Sequence, residues 1–235
     1  DKLGGTVANF PRGKLVMTAP AELPGFGTMY FQETSKEQLV EFWNDIASQS
    51  VMQVNYGERL VAVDTTPDAT LTIVSDRTSY RAKTVLMAIG RRGTPRKLGV
   101  PGEELAKVAY AFTDPEQYRG ASVLVVGGGD SAIEAACTIV EETGAEVSLS
   151  YRSAAFTRAK AKNRARLDKL SCAGQLKLLL ETEVAAISQE TVTLRGKDGD
   201  IEIANDRVLV CAGGILPDGM LREMGIHVEA KYGTA

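Results

Sequence analysis

One stretch of this chain leaves little freedom of fold. Residues 123–126 form an apolar, mostly β-branched run that drops into Gly127-Gly128-Gly129. A helical pattern follows at once, with Ala132, Ile133, Ala136, Cys137 and Val140 on one face, and Gly144 ends it. A second strand is expected at residues 146–150. The order is strand, glycine turn, helix, strand, with G-x-G-x-x-A at Gly127, Gly129 and Ala132. Each small residue has a physical task in such a turn. Gly127 permits the tight bend, Gly129 lets a pyrophosphate approach the backbone, and Ala132 lets helix and strand pack closely. The helix N-terminus then faces the phosphates with its partial positive charge. A dinucleotide site is therefore expected at Gly127, Gly128, Gly129, Asp130, Ser131 and Ala132; the alternative is a tight βα turn with no ligand.

The end of the second strand bears on which dinucleotide. A carboxylate there accepts from the ribose 2′-hydroxyl of NAD. This strand instead runs into Ser150-Tyr151-Arg152, with Arg158 and Lys160 following. A charge-assisted contact to a 2′-phosphate contributes about 1.5–3 kcal/mol, so the cations Arg152, Arg158 and Lys160 favour NADP over NAD, with Tyr151 among the binding candidates. The basic run continues through Lys162, Arg164, Arg166 and Lys169, which read as a solvated helix face.

Composition bounds the rest. With 235 residues, 44% of them hydrophobic, the chain is long enough for one large domain or two small ones. A net charge of −3 gives no reason to expect nucleic acid or an anionic membrane as partner. Cys137, Cys172 and Cys211 are far apart, and His227 is the only histidine, so neither a metal site nor a Ser-His-Asp triad has material. Cys137 and Cys211 lie in apolar segments and read as core residues. No apolar run approaches membrane-spanning length and no signal peptide is visible, which fits a reducing cytoplasm.

The chain also repeats itself. Residues 83–90 match residues 206–213 as a buried strand ending in a small-residue turn, with Pro95 and Pro217 soon after. Each is preceded by an alternating polar-rich hairpin, at 70–81 and at 183–204. Two similar modules in tandem follow from this, yet no glycine fingerprint precedes Val85. Together with an opening at Asp1 rather than methionine, this reads as a piece of a longer polypeptide whose first βαβ unit is absent. The expected fold class is α/β: tandem Rossmann-like dinucleotide-binding modules, three-layered, the first incomplete. The expected domains are 1–108, 109–215 and a return segment 216–235, with hinges near 109–119 and 214–217. Within the first, 18–35 reads as a polar loop. A helix starts at Ser35, capped with Gln38, and presents Leu39, Phe42, Trp43 and Ile46 inward.

These motifs resemble the thioredoxin-reductase-like pyridine nucleotide–disulfide oxidoreductases, flavoproteins with two dinucleotide-binding domains. Residues 3–6 are similar to the segment that passes close to the flavin, and residues 58–61 to the strand that touches adenine. Residues 84–90 look like the T-x-x-x-A-x-G motif that closes the FAD domain, with 91–95 and 100–103 as the following link. Residues 114–118 look like the entry to the NADP module, and Ala212, Gly213 and Gly214 like its exit. The resemblance implies FAD contacts at Gly4, Gly5, Thr6, Leu60, Ala88, Ile89 and Gly90. It also implies hydride transfer from NADPH to flavin, which requires no catalytic acid, base or nucleophile from the protein. Glu134, in the first turn after the fingerprint, faces either the nicotinamide or simply the helix N-terminus.

The departures from the family matter equally. Thioredoxin reductase proper carries a CxxC just before its NADP fingerprint, whereas residues 110–114 here contain no cysteine. Without that dithiol, thiolate exchange cannot carry electrons to a protein disulfide. The resemblance then points to the dithiol-free branch: ferredoxin–NADP reductases of the thioredoxin-reductase type and bacillithiol-disulfide-reductase-like proteins. The family's phosphate-binding run H-R-R-x-x-F-R appears here at 151–158, with Ser153 in place of one arginine and Arg158 displaced. The family's C-terminal Gly-Asp flavin segment has no counterpart in residues 231–235. The expected function is an FAD-dependent NAD(P)H oxidoreductase, or its nucleotide-binding fragment, with a protein electron acceptor and a homodimer both admitted by the family. The alternative is a flavin-free NADP(H)-binding or structural subunit of a larger redox complex.

Overall fold

The computed structural model describes residues 2–90 and 94–229. The chain divides into two compact units, one of residues 1–94 with 215–235 and one of residues 95–214.

The first unit opens with a short helix α1 (Gly5–Ala8) and two small antiparallel pairs. Strand β1 (Leu15–Met17) pairs with β4 (Glu33–Ser35), and β2 (Ala21–Leu23) pairs with β3 (Gly27–Met29). The segment expected as a polar loop over 18–35 is therefore largely hairpin; Thr18, whose backbone N–H donates to Gln32, closes it. Helix α2 (Lys36–Gln49) starts with the expected reciprocal capping of Ser35 and Gln38. Leu39 is buried, while Phe42, Trp43 and Ile46 are half-buried and Phe42 packs edge-on against both Phe31 and Trp43. A three-stranded antiparallel sheet follows, β5 (Leu60–Thr65), β6 (Leu71–Ser75) and β7 (Ser79–Ala82).

One expectation fails here. Residues 84–90 join no strand, and Leu86 is 91% exposed. An apolar run becomes a buried strand only beside a partner that satisfies its N–H and C=O groups. Among the described residues no strand lies alongside 84–90. Ala8 and Leu39 are the first unit's only fully buried apolar residues among those described.

The second unit is a three-layer α/β sandwich. Strand β8 (Val108–Ala109) is followed by a 3-10 turn at Pro115–Tyr118, then β9 (Ser122–Val126), α3 (Asp130–Thr143), β10 (Glu146–Tyr151), α4 (Ala161–Cys172) and β11 (Leu176–Leu180). Next come the meander β12 (Glu183–Ile187), β13 (Thr191–Gly196) and β14 (Gly199–Ala204), and finally β15 (Arg207–Val210). The parallel sheet runs β11-β10-β9-β15-β8. Its central strands are apolar on both faces because both faces are covered. On one side α3 and α4 bury Ile133, Ala136, Cys137, Ile139 and Leu167 against Val125 and Leu149. On the other, the meander buries Val192 and Leu194 against Leu124 and Val208. Helix α3 ends where expected, at Gly144 with φ 66°. A final short helix α5 (Asp218–Glu223) lies in the segment grouped with the first unit.

The second unit begins at Pro95 because residues 95–109 are stapled to it. Ile187 donates its N–H to Pro101 O at 2.9 Å, and Glu103 accepts from the N–H groups of Leu98 and Gly99 and from the Tyr110 hydroxyl. The expected division at 108 thus cuts through one clamped segment. The two chain crossings, 94–96 and 213–215, run side by side: Arg96 N–H donates to Gly213 O and Ile215 N–H to Thr94 O. Among the described residues no helix is long and apolar enough to cross a membrane.

Candidate nucleotide-binding site

The glycine turn sits at the C-terminal ends of β9 and β10, beside β15, where the order of the parallel strands reverses. In open α/β sheets that crevice is where ligands bind. Each residue of the turn is fixed by a different neighbour. Gly127 has φ 145°, and a Cβ there would lie 2.5 Å from Cys211 O and 3.2 Å from the Ala132 Cβ. A Cβ on Gly128 would fall inside the Tyr151 ring, 2.1 Å from its nearest carbon. Gly129 is the opposite case, since nothing stands within 4 Å of where its Cβ would be. It is the N-cap of the 14-residue α3, and no side chain caps that helix. Ala132 is fully buried against the turn.

A pyrophosphate fits this arrangement. The side-chain-free backbone of Gly129 is exposed at the positive end of a helix whose N-cap supplies no side-chain acceptor. The contrast with α2, where Ser35 occupies the same role with its hydroxyl, makes the point directly.

Tyr151 forms the floor of the turn. Its ring lies against Gly128 and stacks on Phe156 with centroids 5.1 Å apart and planes inclined by 15°. Beyond it Arg152 and Arg158 are exposed, and neither has a hydrogen bond or ion pair among the described residues. Ser131 is also exposed at the mouth of the turn. Ala212, Gly213 and Gly214 leave β15 at the same edge, with Gly213 at φ 83°. The structure thus gathers all the NADP candidates at one sheet edge.

Asp130 does something the sequence does not announce. Its carboxylate accepts from Lys160 N–H at 2.9 Å and from Asn163 Nδ2 at 2.6 Å, tying the start of α3 to the start of α4. Asn163 also donates to Glu134 at 3.0 Å, so Glu134 faces α4. The available signal was Asn163 itself, a polar residue on the buried face of an otherwise ordinary helix. Farther along, Arg166 pairs with Glu141 and donates to Thr138, whereas Lys162 and Lys169 are solvated.

The flavin candidates are less concentrated. Gly4, at φ 95°, caps α1 and approaches Ala8 and Val40, with Gly5 and Thr6 exposed beside it. Leu60 opens β5, and Ala88, Ile89 and Gly90 lie in the exposed, strand-free segment. Among the described residues no sheet joins these three segments. The link residues Arg91, Arg92 and Gly93 lie outside the described residues, as do Asp1 and 230–235.

All three cysteines are free. Burial pushes the Cys137 thiol up to about 11 and the Cys211 thiol up to about 12, which keeps both protonated and unreactive at neutral pH. Ellman's reagent at pH 8 is therefore expected to titrate one thiol per native chain, Cys172, and three after unfolding. Two fast-reacting thiols in the native protein would contradict this assignment. Among the described residues no three His, Cys, Asp or Glu side chains are placed to hold a metal ion.

Comparison with known proteins places the chain in a family. The family described as pyridine nucleotide-disulphide oxidoreductase matches residues 7–233. A ferredoxin–NADP reductase of Lacticaseibacillus paracasei is 31% identical over 222 residues, covering 91% of this chain and 63% of that protein. One from Ignicoccus hospitalis is 30% identical over 155 residues, covering 65% of this chain and 50% of that protein. The chain thus spans half to two thirds of the length of these relatives. Among solved structures, bacillithiol disulfide reductase Bdr (YpdA) from Staphylococcus aureus superimposes with a TM-score of 0.84 at 22% identity, covering 96% of this chain and 71% of that one.

Proposed function

The chain belongs to the pyridine nucleotide-disulphide oxidoreductase family, and on that premise we propose that it is the NADPH-binding part of a flavin-dependent oxidoreductase. One observation carries the reading: the α3 N-terminus is left without a side-chain cap behind a Gly129 that faces open space. When bound, NADPH supplies a hydride and a flavin accepts it, so the protein's work is binding and orientation. Backbone N–H groups at 129–131 would hold the pyrophosphate, since that of Ala132 already donates to Gly129 O at 3.1 Å. Arg152 and Arg158, beyond the exit of β10, would meet the 2′-phosphate, with residues 212–214 following β15 beside the turn. The Asp130 contacts to Lys160 and Asn163 hold the arginine-bearing segment at a fixed distance from the turn.

The first unit offers FAD only partial surfaces at Gly4, Leu60 and 88–90, and no step is assigned to side chains there. Relatives named ferredoxin–NADP reductase support a small iron–sulfur protein as electron acceptor. Residues 110–114, ahead of the glycine turn, hold no cysteine, so this reading places no thiol relay in that stretch. A flavin-free NADP(H)-binding subunit is the second reading, favoured by the dispersal of the flavin candidates. Stoichiometric recovery of the flavin absorption band after adding FAD would exclude it.

Isothermal titration tests the nucleotide assignment. NADPH is expected to bind about tenfold tighter than NADH, since a charge-assisted contact to phosphate has no counterpart with the ribose hydroxyl. Arg152→Ala is expected to erase most of that preference. Equal affinities in the unmodified chain would overturn the choice of NADP.

A further inference from the structure

Strands β10 and β11 leave the sheet together at the edge assigned to the 2′-phosphate. Their parallel register pairs Tyr151 with Leu180, so the next residue along each strand is Arg152 on one and Glu181 on the other. The two exits are laced: Thr182 N–H donates to Tyr151 O at 3.2 Å and Glu181 N–H to Ser153 O at 3.5 Å. Glu181 has φ 54°, a left-handed conformation that residues with a Cβ rarely adopt. What holds it there is buried. Thr182 Oγ1 donates to Leu179 O at 2.6 Å and lies 2.8 Å from Ser150 Oγ, with Ser150 wholly inaccessible. The direction of Glu181 is therefore fixed by packing beneath it rather than by solvent-side contacts.

Its carboxylate is met by Lys197 Nζ, which comes from the turn joining β13 and β14. That turn approaches closely enough for a Cβ on Gly196 to lie 3.7 Å from Thr182 Cγ2. A bare carboxylate one strand from Arg152 would repel a 2′-phosphate and favour a ribose hydroxyl. The lysine cancels that charge.

We propose that Glu181 is a second determinant of nucleotide preference, and that Lys197 masks its charge so that the site accepts the 2′-phosphate. The proposal rests on the nucleotide site described above. In it the meander, an element remote in sequence from the glycine turn, has a part in ligand choice. Unmasking Glu181 converts a phosphate-tolerant edge into one suited to the unphosphorylated nucleotide.

The test compares NADPH and NADH affinities by titration for the unmodified chain, Lys197→Met, Glu181→Gln/Lys197→Met and, as a control on the site, Gly129→Asp. Both side chains of the pair are solvent-facing, so the variants are expected to fold. Lys197→Met should lower the NADPH-to-NADH affinity ratio about fivefold, the scale of one exposed charge pair. The double variant should return within about twofold of the original ratio. A Lys197→Met ratio equal to that of the unmodified chain would overturn the proposal, as would a double variant that stays as low as Lys197→Met, because the lysine would then act on the phosphate directly. If the unmodified chain binds neither nucleotide, or Gly129→Asp binds as well as it does, the nucleotide site itself is misassigned and this inference falls with it.

Discussion

Gly129→Asp is expected to abolish measurable NADPH binding while leaving the protein as stable as before, or slightly more so. The position has φ −97°, which any L-residue adopts, and nothing occupies the space its side chain would enter. Aspartate is among the best N-cap residues, and its carboxylate would accept from the first-turn donors of α3. It would also put a negative charge where the pyrophosphate must lie. The donors taken by the new cap and the added repulsion together remove about 3 kcal/mol, a factor of more than a hundred in affinity. Thermal unfolding and titration on the same sample separate the two effects. Retained binding with an unchanged melting temperature would mean that the phosphates lie elsewhere.

Gly102→Ala is expected to do the reverse, costing stability far from any ligand. A Cβ at Gly102 would lie 1.8 Å from the carbonyl oxygen of Ile187, and φ is 80°. The carbonyl is backbone and the Cβ position is fixed by the backbone of residue 102, so no rotamer relieves the clash. The loop has to move off β12, giving up the Ile187–Pro101 hydrogen bond and loosening the clamp of Glu103 on 98 and 99. Adding the left-handed penalty of about 1–2 kcal/mol to one lost hydrogen bond and disturbed packing gives roughly 3–4 kcal/mol. Gly99→Ala is the control: φ is 70° but nothing lies within 4 Å, so only the conformational penalty applies. Urea denaturation of the two variants should differ by about 2 kcal/mol, and equal losses would show that the loop yields without cost.

The nucleotide module was legible from sequence because its signals are local and mutually consistent. The 3.6-residue spacing of Ile133, Ala136 and Val140, the stop at Gly144 and the β-branched strand around Val125 all describe one short stretch, and the structure places them as read. The reason for Gly128 was not legible. It depends on the Tyr151 ring, whose approach to the turn is set by the packing of two strands. The misread strand at 84–90 teaches the complementary lesson. Its composition matches that of β15, but β15 lies between β9 and β8, whereas 84–90 has no such neighbours among the described residues. Strand formation there is decided by pairing rather than by propensity. Glu181 was likewise silent, since it acts across an element boundary.

The anchoring of Asp130 gives the module a form of interchangeability. The segment proposed to choose between nucleotides hangs between two posts, the stacked ring of Tyr151 at one end and the Lys160 N–H at the other. The second post is a main-chain group and does not depend on which side chain residue 160 carries. Sequence between the posts is expected to tolerate replacement by that of a relative without moving the glycine turn. A transplant that omitted Asn163 would lose a strut and would be expected to fail for that reason alone.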